Sequence, residues 1–455
     1  MIETAQEIIK KSVLGLKHEN SLQRRRMIEK YIDFYGGENT AQYIAHRFNL
    51  DAFKEIPPAC FNFTRKFIDR MARIYTLGAT RSVNDTYSNM TINKNASFKH
   101  IEKMTRLVGT IAVKIDMNEE STGLSNKLSY SYEPVYYFDP IFEDDFMNPV
   151  AVVYPVVGSS ADMSYDSPIL YTYWDSEIQA ILDSEGKIIE EHAHNYGFLP
   201  FVFTHREPQV DDFFVCGAYD IVSANELVNI LLTEANLGLR FSMFGQHAVT
   251  GLYSDDNIQR AGSDELLVLP EGAKYEILSP EANVRDAIDL IKNMLDLCAQ
   301  NNHLSVSFAE TSSDRPTSGI ALKIKDLERF EDYQDDIELF RKYESDFFII
   351  ERQLASLYNI NLPDNFTINF NEPEYPKSTQ DDIMMKTWEL ENDLTTKAKL
   401  LQSTNKDLSL DEAQSIIDEN EEINGTRTEE TEETEGQETA PRTIFDRLRQ
   451  ETPTA

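Results

Sequence analysis

Cysteine, basic charge and long apolar runs are all in short supply. The three cysteines in 455 residues, Cys60, Cys216 and Cys298, are odd in number and far apart. That excludes a disulfide framework and a zinc knuckle, and it suits packed thiols in a reducing compartment. No stretch approaches the ~18 apolar residues of a membrane span, so no membrane partner is expected. The first residues lack a charged segment followed by an apolar one, so no secretion signal is expected either.

Lys and Arg number 43 against 78 Asp and Glu, a formal charge of −35. Tight DNA binding needs clustered cations that release counterions, and so acidic a surface repels polyanions. A conduit through which DNA slides would nonetheless benefit from not holding it. The few basic clusters, Arg24–Arg26 and Arg65, Lys66, Arg70 and Arg73, read as solvated helix faces or subunit contacts.

Catalytic patterns are missing too. There is no GxxxxGK[ST] loop, no GxGxxG after a strand and no HExxH. His192 and His194 would share one face of a strand, but no third ligand is legible. The clusters Glu143-Asp144-Asp145 and Asp211-Asp212 could hold Mg²⁺ as in an acidic metal-dependent nucleic-acid enzyme, yet 78 acidic residues cluster readily by chance. No Ser or Cys nucleophile has a readable base. The expectation is no enzyme, no catalytic residue, no metal and no cofactor.

What is present is a sequence of periods. Ser21–Tyr35 reads as a helix stopped by Gly36-Gly37, and Asn62–Leu77 as a second stopped by Gly78. From Gly109 to Phe203 the pattern is strand-like: Thr110–Asp116, Val135–Phe138, Val150–Val157, Ile169–Trp174, Ala180–Leu182 and Phe201–Thr204. A turn is expected at Asp183–Gly186. Helices return at Ala218–Phe244 and Glu281–Asn301, around a short region in which Glu265–Leu269 and Lys274–Leu278 flank a Pro-Glu-Gly turn. A long helix, Ser318–Tyr358, repeats Phe340/Phe347/Leu354 and Tyr343/Ile350/Leu357 at seven-residue steps, a packing seam. At 1.5 Å per residue it would span about 60 Å, too long for one small domain. A strand at Phe366–Phe370 and helices Thr379–Gln402 and Leu410–Asn420 follow, the last with Ser409 and Glu412 as a capping box. Beyond Asn424 the Thr/Glu-rich chain reads as disordered, with an amphipathic island at Thr443–Gln450. The fold class expected is α+β, predominantly helical.

Between the two central helical runs lies Asp314-Arg315-Pro316-Thr317-Ser318-Gly319-Ile320-Ala321-Leu322-Lys323. Pro316 stops the preceding pattern, and Thr317 or Ser318 caps the next.

These elements, in this order, resemble tailed-bacteriophage portal proteins, the head-to-tail connectors. Tyr35-Gly36-Gly37, Asn62 through Ile68-Asp69 to Ile74-Tyr75-Thr76-Leu77-Gly78, and Asn195-Tyr196-Gly197-Phe198-Leu199-Pro200 carry the early part of the likeness. Glu226 to Gly245 resembles a first stem helix. Pro316, Thr317, Ser318, Gly319, Ala321 and Lys323 are similar to the motif that opens the family's long wing helix. The resemblance covers about residues 20–422.

It implies a portal-type fold: an N-terminal wing over 1–216, stem helices at 217–247 and 281–303, and a clip at 248–280. A tunnel loop follows within 304–317, then the long wing helix and strand over 318–375, a crown over 376–422 and an acidic tail over 423–455. It implies a homo-oligomeric ring, commonly of twelve subunits, at a capsid vertex of the virion, assembled in the host cytoplasm. Double-stranded DNA would pass through the ring without sequence preference during packaging and ejection. Terminase large subunit, head-tail adaptor, major capsid and scaffolding proteins would be its partners. Ser307, Glu310, Thr311, Ser312, Ser313, Asp314 and Arg315 would face the DNA, with Arg315 and Lys323 either touching phosphate or bridging subunits. Ile444, Phe445 and Leu448 would form a docking segment. Neighbouring subunits would bury the long-helix seam.

Overall fold

In a computed structural model, the structure describes residues 15, 18–48, 57–122, 125–156, 170–194, 196–244, 246–250, 274–278, 284–304, 327–371, 379–405 and 408–432. The chain is α+β, 51% helical and 19% strand, so helix predominates. It divides into two compact units, Met1–Arg315 with Lys323–Glu374, and Pro316–Leu322 with Tyr375–Ala455.

In the larger unit, α1 (Glu19–Gly36) ends where its glycines require. Gly37 takes φ 82° and its N–H closes onto the Asp33 carbonyl. A short α2 (Thr40–Ala45) follows. The next helix, expected over Asn62–Leu77, covers only α3 (Phe63–Met71). Asn62 caps its start by accepting from Arg65 N–H. Its early stop has a cause outside the segment. Ala72 turns extended, and the N–H groups of Ile74 and Tyr75 donate at 3.0 and 3.1 Å to the two carboxylate oxygens of buried Glu102. A side chain from a later helix thus satisfies donors that another turn of α3 would have used. β1 (Ala79–Ser82), α4 (Asp85–Met90) and α5 (Lys94–Val108) follow. None of the three was expected, because Asn, Thr and Ser interrupt any clean period between Thr80 and Ser97.

Among the described residues all strand pairing is antiparallel. β2 (Thr110–Thr122) and β3 (Ser125–Val135) form a long hairpin. A five-stranded meander comes next: β4 (Asp139–Ile141), β5 (Ala151–Pro155), β6 (Tyr171–Trp174), β7 (Ile178–Leu182) and β8 (Ile188–Ala193). β9 (Phe201–His205) then returns to the free edge of β2. Asp183 makes the expected turn, its Oδ1 accepting from Glu185 and Lys187 N–H at 2.8 and 2.9 Å while Gly186 takes φ 79°. The expected strand Val135–Phe138 is the end of β3 and the bend after it.

α6 (Tyr219–Phe244) leads into β10 (Gln246–Thr250), which pairs with β11 (Lys274–Leu278) ahead of α7 (Val284–Asn301). Lys274–Leu278 is therefore a strand, and its partner is Gln246–Thr250; Glu265–Leu269 lies outside the described residues. α6 begins at a close backbone crossing. A Cβ on Gly109, whose φ is 97°, would stand 2.2 Å from the Val215 carbonyl oxygen, and one on Gly217 would stand 2.5 Å from that of Leu107. Ala218 N–H reaches that same Leu107 oxygen at 2.9 Å.

α8 (Leu327–Leu357) has 31 residues, about 46 Å of helix. Its seam corrects the sequence expectation. Phe340, Tyr343, Phe347 and Leu354 are buried within this chain and not left for a neighbour. Phe347 packs edge-on to Phe98 of α5, and Tyr343 OH accepts from His205 N–H of β9 at 3.0 Å. The same face carries two fully buried carboxylates, Glu344 and Glu351. Lys94, also fully buried, lies 2.6 Å from Glu351 and 3.1 Å from Glu344. Arg81 of β1 pairs with Glu344, Tyr75 donates to it, and Tyr87 and Tyr132 donate to Glu351. β12 (Thr367–Phe370) closes the unit by pairing with β1.

In the second unit the helix expected over Thr379–Gln402 is two: α9 (Thr379–Glu391) and α10 (Lys397–Thr404). Asp393 takes φ 57°, and Thr396 starts the new helix by accepting from Lys399 N–H. The capping box forms as expected at α11 (Leu410–Glu432), with Ser409 N–H donating to Glu412 and Glu412 N–H to Ser409 Oγ. This helix runs past Asn424, where disorder was expected, and is described as far as Glu432. Among the described residues no helix is long and apolar enough to cross a membrane.

Two substitutions test this architecture. Gly109→Ala meets backbone on one side and an unfavourable φ on the other, and should cost about 3 kcal/mol or more in urea unfolding. Lys94→Met strands the buried Glu351 carboxylate, while Glu344 keeps Arg81, and should cost roughly 3–5 kcal/mol, part of which Lys94→Met with Glu351→Gln recovers. Equal costs for the single and double variants would mean that the pair is uncoupled.

Candidate functional site

The residues named from sequence as the tunnel loop and its motif, Ser307 to Arg315 and Pro316 to Lys323, lie outside the described residues. So do Ile444, Phe445 and Leu448. What the structure describes is the frame from which the 305–326 segment departs.

That frame is the helical pair α6 and α7, packed side by side and joined through the β10–β11 ribbon. α6 is anchored by a polar ladder. Asn225, Asn229 and Thr233 are buried at four-residue steps, so they stack along one face of the helix. Asn229 accepts from Phe61 N–H at 2.8 Å and donates to its carbonyl at 2.9 Å. Thr233 accepts from Ala59 N–H, and Asn225 donates to Thr64 Oγ1. The segment 59–62, neither helix nor strand, thus gains its backbone partners on a helix. Glu226 beside the ladder meets Lys30 at 2.6 Å and Arg47 at 3.7 Å. The sequence expectation of a helix over Ala218–Phe244 did not include this face; the Asn-x₃-Asn-x₃-Thr spacing was its signal.

The far end of α7 is pinned. His303 adopts φ 49°, which lets Leu304 N–H close onto the Ala299 carbonyl at 2.8 Å. His303 Nδ1 lies 2.7 Å from Asp332 of α8, and Asn302 donates to Asp220 in the first turn of α6 at 2.9 Å. The departure point at Leu304 is therefore held by both flanking helices. Elsewhere the pair leaves apolar side chains uncovered: Leu227 and Leu239 on α6, and Ile288, Leu290 (51% exposed) and Leu297 (64%) on α7.

The other candidates separate. His192 sits 2.8 Å from Glu190, whereas His194 stacks on Trp174. Asp145 accepts from Met147 and Asn148 in a turn, which holds its carboxyl below the usual range. Among the described residues no group of three or more His, Cys, Asp or Glu could hold a metal ion. Arg24 is engaged within the chain, pairing with Asp139 and lying over the Phe214 ring. Cys60 and Cys216 are exposed and not packed, because each falls in a stretch without helix or strand. Only Cys298 is half-buried; burial, then Asp220, pushes its thiol up to about 11.

Two buried groups carry opposed proton linkages. Burial raises the Glu102 carboxyl to about 7 despite Arg106 and two backbone donors. Burial, then Lys342, lowers His205 to about 4. No family model matches the chain, and no curated protein matches it.

The pH dependence follows. Between about pH 4.5 and 7 the folded state holds the Glu102 proton that the unfolded chain has lost, so stability falls as pH rises. Between about 4 and 6.5 the unfolded chain protonates His205 and the folded state does not, so stability rises with pH. Each shift corresponds to about 3 kcal/mol, and in the overlap they offset. Glu102→Gln should therefore gain stability more steeply than the parent from pH 4.5 to 6.5 in urea midpoints. Parallel profiles for the two would refute the Glu102 assignment.

Proposed function

We propose that the protein is the subunit of a portal-type ring, the channel through which double-stranded DNA enters and leaves a viral capsid. The observation that carries this reading is the run of α6, an antiparallel ribbon, α7, a departing segment and the long α8, with apolar side chains left uncovered on α6 and α7. On this reading α6 and α7 are the stem, the β10–β11 ribbon is the base of the clip, and 305–315 is the tunnel loop. Uncovered leucines along a helical pair suit a heterologous contact, in which each copy covers the next and a closed ring leaves none exposed. A formal charge of −35 per copy suits a wall that passes DNA without gripping it. The subunit would do no chemistry of its own. Terminase would supply the work of packaging at the clip, and the tail adaptor would take its place afterwards.

Mass photometry and negative-stain imaging of the purified chain test this. Rings of about twelve subunits with a central hole are expected, and a monomer across all concentrations would sink the reading. Leu290→Asp with Leu297→Asp should shift rings to monomers while leaving far-UV circular dichroism unchanged, because both side chains are exposed in the single copy.

A further inference from the structure

In the second unit, neighbouring helices are covered to different degrees. α10 packs along α11, with Ala398 and Ala413 buried, and Lys397 at its start meets Glu421 at 2.7 Å. α9 has no comparable helix or strand partner among the described residues. Its Ile383 (59% exposed), Met384 (62%) and Trp388 (56%) stand in water. Met384 and Trp388 are one turn apart and Ile383 adjoins them, so the three share one side of the helix. Leu394, also exposed, follows directly, its N–H closing onto the Glu389 carbonyl at 3.0 Å. Single surface leucines need no explanation, but a Trp beside a Met and an Ile is the kind of cluster that anchors a contact.

The charge around this face is acidic. Over 379–393, Asp381, Asp382, Glu389, Glu391 and Asp393 stand against Lys386. The sequence beyond α11 holds a segment of opposite character. Over 441–450, Arg442, Arg447 and Arg449 stand against Asp446, and Ile444, Phe445 and Leu448 have the i, i+1, i+4 spacing of one helix side. From Glu432, the last described residue, the stretch 433–442 leads to Thr443 and can reach up to about 35 Å. The part of α11 between Glu421 and Glu432 is only about 16 Å long. Glu421 already meets the start of α10, and only 392–396 separate α10 from α9. The segment can therefore return to α9.

We propose that the segment 443–450 docks on the α9 face of its own chain, with Ile444, Phe445 and Leu448 covering Ile383, Met384 and Trp388 and the arginines facing the acidic rim. So short a tether gives an effective concentration on the order of 1 mM, and a contact with a Kd of about 0.1 mM is then closed about ten to one. A second copy at micromolar concentration offers about a thousandth of that. Each surface thereby masks the other, and a partner that uses either must first displace it. The contact needs one copy only, so it does not depend on the ring reading.

Tryptophan fluorescence of the full chain tests this. The chain has two tryptophans and Trp174 is buried, so acrylamide quenching reports on Trp388. In the parent Trp388 should be shielded. Ile444→Asp with Phe445→Asp and Leu448→Asp should red-shift the emission and raise the quenching. Arg447→Glu with Arg449→Glu should weaken closure about tenfold, leaving open and closed forms nearly equal. Co-expressing the triple variant with Trp388→Phe copies, whose segments are intact, separates the sources: Trp388 stays exposed when docking is within one copy. The proposal fails if the parent quenches as the triple or the arginine variant does. It fails too if the Trp388→Phe copies restore shielding, which would assign the face to a second copy.

Discussion

Two carboxylates seven residues apart on one helix set the terms for the larger unit. Glu344 and Glu351 are wholly removed from water, a position that ionised groups tolerate only when paired and hydrogen-bonded on every side. Burial alone would raise the Glu344 carboxyl, but Lys94 and Arg81 hold it below its usual range. The partners come from far along the chain: Tyr75 after α3, Arg81 from β1, Tyr87 from α4, Lys94 from the first turn of α5 and Tyr132 from β3. Lys94 also lies 4.9 Å above the Phe98 ring, so its ammonium meets aromatic faces where it does not meet oxygen. Each of these elements can dock on α8 in one register only. A slip of a single residue would leave a buried charge unanswered, which is a stronger specification than apolar packing provides.

That network also explains which parts of the fold were legible in the sequence and which were not. The seven-residue repeat of Phe340, Phe347 and Leu354 correctly indicated a long helix with a buried seam. It could not say what covers the seam, because the covering groups are Phe98 and Tyr132, hundreds of positions earlier. The same limit shortened α3. Its period continues to Leu77, but Glu102 takes the amides of Ile74 and Tyr75, and no local pattern reveals a capping group some 30 residues away. Where the deciding contacts are local, the reading succeeded: Gly37 after α1, the Asp183 turn and the Ser409–Glu412 box all close within four residues. The candidate site was legible only as a frame. The spacing of α6 and α7 was visible, whereas the Asn225–Asn229–Thr233 ladder was hidden because the eye follows apolar periodicity and the ladder is its polar counterpart.

The two long-helix systems are finished to different degrees. α8 has Phe340, Tyr343, Phe347, Leu354 and both buried charges satisfied by its own chain, while Ile349 and Leu357 stay exposed. α6 is satisfied on one face by the ladder and on another by α7, and then leaves Leu227 and Leu239 in water, as α7 leaves Ile288, Leu290 and Leu297. Scattered surface leucines need no explanation, but these five lie on two helices already packed against each other. The contrast bears on the order of events. Around α8 the buried Glu344 and Glu351 are answered by Lys94 and Arg81 of the same chain, so this part of the unit does not wait for assembly to pair its charges. The helical pair gains from a neighbour, and on the ring reading assembly would begin there, between subunits already folded. The pinned end of α7 fits that sequence: with His303 held by Asp332 and Asn302 by Asp220, the point from which the 305–326 segment departs is fixed before any neighbour arrives. A ring built from such subunits would place twelve identical departure points by rigid-body docking alone, without each subunit having to refold against the next.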